Sequence, residues 1–192
     1  IVSDDSNVVQ GFLAAGHECT IMGLGEYYPL VKKYALPIVV TGFEPVDLLQ
    51  GILMLLKQLE AGEHKLENQY TRVVNEEGNP DARNVIGKVF RVTNREWRGI
   101  GEIPFSGYEL QEAFAGYDAN LKFNVQMEHV GESKECIAGE VLRGLKKPFE
   151  CAQFGKKCKP ANPLGAPMVS SEGACAAYYH FSNMAVQEEQ VA

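Results

Sequence analysis

The sequence predicts an α/β protein with an open, mostly parallel sheet and flanking helices, followed by a small helical, loop-rich module that contains most of the cysteines. Two observations support this prediction. Strand-like apolar runs alternate with helical periodicity over the first 127 residues, which is typical of α/β folds. From about residue 128 the strand signals vanish, and Cys, Lys, Gly and Pro become more frequent. We therefore expect an α/β domain at residues 1–127 and a cysteine domain at residues 128–192.

The elements of the first domain follow from apolar patterning and from residues that begin or end regular structure. Apolar residues over 8–14, ahead of Gly16, predict a strand that runs into a tight turn. A short helix is expected over 27–34, and the β-branched run at 37–41 is the clearest strand signal. Further along, the predictions are a strand over 70–74, a helix over 80–89 and an irregular link over 97–127.

The clearest helix begins at Pro45, because proline suits the first turn, and Gly62 is a suitable C-terminal cap. Apolar residues recur around this helix at positions 46, 48, 49, 52, 53, 55, 56 and 59. A helix this apolar is expected to be buried on most sides. In an open α/β sheet ligands bind beyond the carboxyl ends of the strands, where Gly16-His17 and Gly42-Phe43-Glu44 are expected to lie.

Composition and charge exclude several classes of protein. The 192 residues are 45% hydrophobic and 22% charged, which is an ordinary globular balance. A net charge of -7 argues against a general nucleic-acid binder, which needs an excess of Lys and Arg. The apolar runs are too short to cross a membrane. No secretory signal is visible, so we expect a cytoplasmic protein, and the start at Ile1 suggests a piece of a larger one.

Four of the five cysteines form the pattern C-x14-C-x6-C-x16-C, at Cys136, Cys151, Cys158 and Cys175. Disulfides would suit a secreted domain, but the sequence shows no secretory signal. Structural zinc accepts four thiolates, but its usual mark is paired ligands at C-x2–4-C, and the sequence has no such pair. An iron–sulfur cluster also takes four cysteines, and its bulk allows ligands from well-separated loops. A zinc-stapled interaction module without a redox role remains the alternative to the cluster.

The cysteine-rich segment is also basic. Between residues 134 and 160 there are seven basic and three acidic side chains, so this segment carries +4 and the remainder of the chain -11. Cations stabilise a cluster whose four thiolates leave it negative, so the coincidence favours the cluster. The alternative explanation is that the lysines simply form a solvated face.

Several blocks of the sequence resemble the C-terminal region of the HypD family of [NiFe]-hydrogenase maturation proteins. The most specific blocks are residues 139–145, Pro148 with Cys151, and residues 168–175. Further matching blocks are residues 42–47, 67–70, 72–74 and 96–99. The resemblance extends from Gly11 to Tyr179.

This resemblance implies a [4Fe–4S] cluster on Cys136, Cys151, Cys158 and Cys175. It also implies a scaffold on which, together with a HypC-type chaperone, an iron with cyanide and carbon monoxide ligands, Fe(CN)2CO, is assembled transiently. The cyanide comes from a HypE-type partner. The family's iron-binding cysteine lies in an N-terminal half that has no counterpart here. The chain then corresponds to the second α/β domain, one wall of the iron cleft, and most of the cluster domain.

Two further residues match family motifs. His17 lies in a Gly-His motif and Glu172 in the motif Ser-Ser-Glu-Gly-Ala-Cys, and the resemblance implies that both face the iron cleft. A neutral imidazole there could bond to a cyanide nitrogen or shuttle protons. Without the motifs, His17 is a satisfied histidine at a strand end, and Glu172 is an acid in the first turn of a helix.

The sequence departs from the family pattern at three positions. Ala15 replaces the proline that usually precedes Gly-His. Ala138 and Pro167 occupy positions where many members have cysteines proposed as a redox pair. A dithiol relay is therefore not expected in this chain, and Cys19 is interpreted as a small buried thiol.

Besides the maturation scaffold and the zinc-stapled module, a third hypothesis is a free-standing α/β enzyme that uses His17 and Glu44 as acid and base. The sequence shows no nucleophile triad and no phosphate loop. Gly23-Leu24-Gly25 lacks the third glycine of a dinucleotide-binding fingerprint, so this hypothesis ranks below the other two.

Overall fold

The computed structural model describes residues 1–124 and 133–188, and side chains as far as residue 182. The chain divides into two compact units. The first consists of Val9–Phe90 with Val2, and the second of Arg91–Ala192 with Ile1 and Ser3–Val8. The boundary predicted between residues 127 and 128 lies outside the described residues.

The first unit is built on a parallel sheet of three strands, β1 (Phe12–Ala15), β2 (Ile38–Thr41) and β3 (Leu66–Asn68), in the order β1-β2-β3. Ile38 of β2 is opposite Phe12 on one side and opposite Leu66 on the other. Parallel strands need crossover connections, which here are helical. The helices of this unit are α1 (Gly16–Met22), α2 (Tyr27–Tyr34), α3 (Pro45–Ala61) and α4 (Pro80–Val89). The predicted α/β class is thus confirmed.

The central strand β2 forms the core of the first unit. All four of its residues are buried, and Val39 and Val40 are fully inaccessible. Val40 packs in a cluster with Cys19, Leu24 and Val74. A strand buried on both faces appears as a continuous apolar run in the sequence, which explains why β2 was the clearest strand signal.

Helix α3 packs against β1 and β2 through one face only. It begins at Pro45 and ends before Gly62, whose left-handed backbone (φ 65°) lets its N–H reach Gln58 and Leu59 carbonyls. The outward face is apolar, with Val46, Leu49, Leu53 and Leu56 all 51–67% exposed. The prediction that α3 is buried on most sides is therefore wrong for the described residues, because the sheet covers only one side of the helix.

Two strand predictions are displaced. The third strand lies at 66–68 and not at 70–74, because its position is set by pairing with β2. Residues 70–74 instead form a turn in which the Val74 N–H donates to the Tyr70 carbonyl at 2.9 Å. The first strand occupies 12–15, and α1 follows it directly where a tight turn was predicted. The predicted helices at 27–34 and 80–89 are confirmed.

A β-hairpin that was not predicted from the sequence lies, apart from its first residue, in the second unit. Strands β4 (Phe90–Trp97) and β5 (Gly101–Leu110) pair as a two-stranded sheet across a three-residue turn. Gly99 and Gly101 provide the positive φ angles at the turn. The prediction of an irregular link over 97–127 is therefore wrong at β5. The Gly and Pro residues of this segment argued against a strand. Pro104 is nevertheless tolerated in β5, because both strands of a two-stranded sheet are edge strands.

The described chain from residue 133 onward is helical and rich in loops, as predicted, whereas two short helices between residues 112 and 123 lie where an irregular link was predicted. After a 3-10 helix (Glu112–Tyr117) and α5 (Ala119–Phe123) come α6 (Ala138–Leu142) and α7 (Ala174–Glu188). Short 3-10 turns at Pro148–Glu150 and Ala166–Met168 pack against α7. The core of this region consists of Cys158, Met168 and Ala176.

Candidate metal centre

Four cysteines of the second unit line a single pocket, although they are widely separated in the sequence. They are Cys136, Cys151, Cys158 and Cys175. The pocket and its opening contain about 290 Å³ of space free of atoms. The other walls are mostly apolar and include Ala138, Val141, Phe154, Pro167 and Met168. All five cysteines of the chain are free thiols, so no disulfide joins them.

Short turns and helix starts place three of these cysteines. Cys136 lies two residues before α6, and Cys175 is the second residue of α7. Cys151 ends the 3-10 turn that begins at Pro148, and its N–H donates to the Pro148 carbonyl at 3.1 Å. Local hydrogen bonding therefore fixes the backbone around Cys151 before any ligand binds.

Cys158 is the most enclosed of the four, with 7% of its surface exposed. Its N–H donates to the Gln153 carbonyl at 3.0 Å, and its own carbonyl accepts the Gly155 N–H at 3.0 Å. Its sulfur accepts a hydrogen bond from the Leu164 N–H at 3.4 Å. The chain thus folds back on itself around this sulfur.

The pocket brings the four sulfurs close enough to influence one another. Burial and, to a smaller extent, the neighbouring Cys136, Cys158 and Cys151 together raise the pKa of the Cys175 thiol to about 11. Thiolates are the metal-binding form of cysteine, so a metal must displace this proton when it binds. Four converging thiolates repel one another, and a cationic centre relieves that repulsion.

The lysines of the basic segment lie outside the pocket. Lys146 Nζ is 3.0 Å from Glu140 Oε2, and Lys157 Nζ is 3.2 Å from Glu135 Oε2. Both lysine side chains are exposed, by 43% and 65%. In the part of the chain that the structure describes, no lysine lines the pocket. The lysines therefore form a solvated face, whereas the backbone N–H of Leu164 contacts the Cys158 sulfur directly.

The carboxyl edge of the sheet in the first unit brings together side chains from the segments that follow its three strands. The ring of His17, after β1, lies 4.9 Å from the ring of Phe43, after β2. Arg72, after β3, forms an ion pair with the buried Asp47 and lies 4.5 Å above the ring of Tyr70. The pairing of Asp47 with Arg72 was not predicted, because no local pattern links residues that lie 25 positions apart.

His17 and Glu172 belong to different compact units. His17 is the second residue of α1 and is exposed. Glu172 is also exposed, and its N–H donates to Ser170 Oγ at 3.2 Å. It lies two residues before α7, so the interpretation as a first-turn acid is wrong. The roles expected for both residues in an iron cleft stay predictions.

Comparison with known proteins decides the family. Residues 1–182 match the family model HypD, described as the hydrogenase formation hypA family. The chain belongs to the HypD family. The resemblance found in the sequence blocks is thus confirmed, and the match extends beyond both ends of the region from Gly11 to Tyr179.

Three curated relatives show how much of a HypD-family protein is present. HypD1 of Bradyrhizobium diazoefficiens is 43% identical over 183 residues, which cover 95% of this chain and 48% of the relative. HypD of Rhodobacter capsulatus is 44% identical over 193 residues, which cover 98% of this chain and 51% of the relative. HypD of Azotobacter vinelandii is 44% identical over 174 residues, which cover 90% of this chain and 46% of the relative. The chain spans about half the length of the curated relatives that it matches.

The donor set of this HypD-family chain, four cysteines on one pocket, is one that an iron–sulfur cluster accepts. Within residues 1–124 and 133–188, no group of three His, Cys, Asp or Glu side chains is placed to hold one metal ion. A tetrahedral zinc site with Zn–S bonds of about 2.3 Å requires sulfurs about 3.8 Å apart. A cluster has its own bulk and joins thiolates that are farther apart. Four cysteines around one apolar pocket therefore fit an iron–sulfur cluster.

None of the helices described here is both long and apolar enough to cross a membrane.

Proposed function

We propose that this chain is part of a hydrogenase maturation factor and that Cys136, Cys151, Cys158 and Cys175 hold a [4Fe–4S] cluster. The observation that carries the proposal is the convergence of these four cysteines on one pocket with otherwise mostly apolar walls. The maturation role is supported by the three relatives described above, all of which are named hydrogenase maturation factors.

A bound cluster would supply one-electron redox chemistry. The chain's own residues would set its surroundings. Met168 is 2% exposed and Phe154 packs beside it, so both exclude water from one side of the pocket. Low solvent access and hydrogen bonds to the sulfurs are the means by which a protein tunes a cluster's potential. The Leu164 N–H is such a donor.

The iron that carries cyanide and carbon monoxide, Fe(CN)2CO, is cargo in this proposal and not a resident group. The proposed partners are a HypC-type chaperone and a HypE-type cyanide donor, and the proposed location is the cytoplasm. His17 and Glu172 are proposed to face the iron in the whole protein. A neutral His17 imidazole would donate a hydrogen bond to a cyanide nitrogen or move a proton, and Glu172 would serve as a proton acceptor.

The cluster is tested on the full-length protein purified without oxygen. The expected content is about four iron and four sulfide per chain, with a visible absorption that dithionite bleaches. Cys158→Ser is expected to lose most of the iron and the colour. Cys19→Ser is the matched control, because Cys19 is also buried but lies in the other unit, and it is expected to keep both. One zinc per chain without sulfide would instead establish the zinc-stapled module.

The maturation role is tested separately in a host that lacks its own HypD-family protein. The parent protein is expected to restore hydrogenase activity, and Cys158→Ser is expected not to. His17→Ala is expected to keep the cluster and yet lose maturation, since its proposed role lies at the iron cargo. Full maturation by His17→Ala would remove His17 from the mechanism and leave the cluster assignment intact.

A further inference from the structure

We propose that the dipeptide Leu164-Gly165 is the positioning element of the cysteine pocket. The Leu164 N–H holds the sulfur of Cys158, and the absence of a side chain on Gly165 leaves room for the sulfur of Cys136. The inference rests on the proposed cluster function, because it concerns how this chain presents two of the four ligands.

Gly165 is not required by its backbone conformation. Its φ of -147° and ψ of 159° are extended, and any residue adopts them. The space around it is the constraint. A Cβ atom built on Gly165 would overlap Cys136 Sγ and would lie 3.3 Å from the Cβ of Ala138. A glycine is therefore needed here because the Cys136 thiol occupies the place of a side chain.

The preceding residue acts on a second ligand. The Leu164 N–H donates to Cys158 Sγ at 3.4 Å, in a partly buried environment. The turn that follows fixes the dipeptide, because the Gly165 carbonyl accepts the Met168 N–H at 3.0 Å. Two adjacent residues of one loop thus define the positions of two sulfurs that come from different parts of the chain.

This arrangement predicts a difference between the metal-free and the loaded protein. Without a metal, Cys136 Sγ is the end of a short side chain and can rotate away from an added methyl group. With a cluster bound, the sulfur is fixed, and the methyl group must displace a ligand. Changes around metal ligands typically lower metal affinity about 10–100-fold. The substitution Gly165→Ala should therefore weaken the cluster while leaving the metal-free fold stable.

The experiment compares Gly165→Ala with Gly116→Ala in the full-length protein. Gly116 is exposed, and an added Cβ there meets nothing within 4 Å. The rate of cluster loss to a chelator of ferrous iron is expected to rise about tenfold for Gly165→Ala and to stay unchanged for Gly116→Ala. Electron paramagnetic resonance of Gly165→Ala is expected to show a signal that the fully ligated parent lacks. Thermal unfolding of the metal-free variants is expected to match that of the parent.

Three results would overturn the proposal. If Gly165→Ala keeps the parent's chelation rate and spectrum while the parent holds a cluster, only the role of Gly165 fails. If metal-free Gly165→Ala is unfolded or strongly destabilised, the glycine serves general packing and not ligand placement. If the parent itself binds no iron and sulfide, the proposed cluster fails together with this inference.

Discussion

Arg72 binds both carboxylate oxygens of Asp47, with Nη1 2.7 Å from Oδ1 and Nη2 2.6 Å from Oδ2. Asp47 is only 3% exposed, and Gln69 Nε2 donates a further hydrogen bond to it at 2.9 Å. A buried charge persists only where it is paired and hydrogen-bonded. The pair therefore ties the first turn of α3 to the loop that follows β3, at the edge of the sheet where His17 also lies.

The Asp47–Arg72 pair should make stability depend on pH. Hydrogen bonds from Arg72 and then Gln69 lower the pKa of Asp47 to about 2, against about 3.9 in an unfolded chain. Because the folded pKa is the lower one, the stabilisation is complete above the unfolded pKa and is lost as the pH falls towards 2. Asp47→Asn should lower the denaturation midpoint at about pH 7, and the difference from the parent should shrink between about pH 4 and pH 2.

Glu44→Gln is the matched control for that series. Glu44 also contacts the Arg72 guanidinium, at 3.4 Å, but its side chain is 78% exposed. Exposed ion pairs contribute little, so the expected change is below about 0.5 kcal/mol at every pH. A pH-independent difference between Asp47→Asn and the parent would contradict the role assigned to Asp47.

Substitution by alanine should change the stability of the protein in opposite directions at two glycines that lie in helices. A Cβ on Gly51 of α3 would overlap Thr41 Cγ2 of the sheet, whereas a Cβ on Gly87 of α4 meets nothing within 4 Å. Overpacking costs about 1–3 kcal/mol, and alanine gains at most about 1 kcal/mol in helix propensity. Gly51→Ala should therefore destabilise the protein and Gly87→Ala should stabilise it slightly. Denaturant unfolding measures the free energy of unfolding of both variants. Equal changes in the two variants would mean that α3 does not approach the sheet so closely.

The outer face of α3 should tolerate truncation in this chain. Leu49 is 67% exposed, whereas Val39 in β2 is fully buried. Leu49→Ala should change the free energy of unfolding by no more than about 0.5 kcal/mol, and Val39→Ala should lower it by about 2–3 kcal/mol. Chemical denaturation of the 192-residue chain measures both values. A large loss for Leu49→Ala would show that its side chain is covered.

Cys19 should react more slowly than Cys136 and Cys151 in the metal-free protein. It is 1% exposed, and burial raises the pKa of its thiol, although a hydrogen bond to the Tyr27 hydroxyl partly opposes that rise. Cys136 and Cys151 are partly exposed. Alkylation followed by mass spectrometry should therefore label Cys19 at least about tenfold more slowly than these two pocket cysteines. Rapid labelling of Cys19 in folded protein would place it outside the core.

Local sequence determined those elements whose signals are themselves local. Helices α2 and α4 lie over the predicted ranges, and the buried strand β2 lies where the β-branched run predicted it. Gly62 ends α3, as its position predicted. The four cysteines could also be proposed as a ligand set from their chemistry and from the family resemblance.

Tertiary structure decided what depends on partners distant in the chain. Pairing with β2 placed β3 at 66–68, and strand β5 became visible only beside β4. Helix α3 had apolar residues on several sides, and the single sheet beneath it decided which side is buried. The Asp47–Arg72 pair and the overlap of a Gly165 side chain with Cys136 likewise depend on contacts between residues far apart in sequence. A sequence pattern reports what each segment prefers, whereas which segments meet depends on the packing of the whole unit.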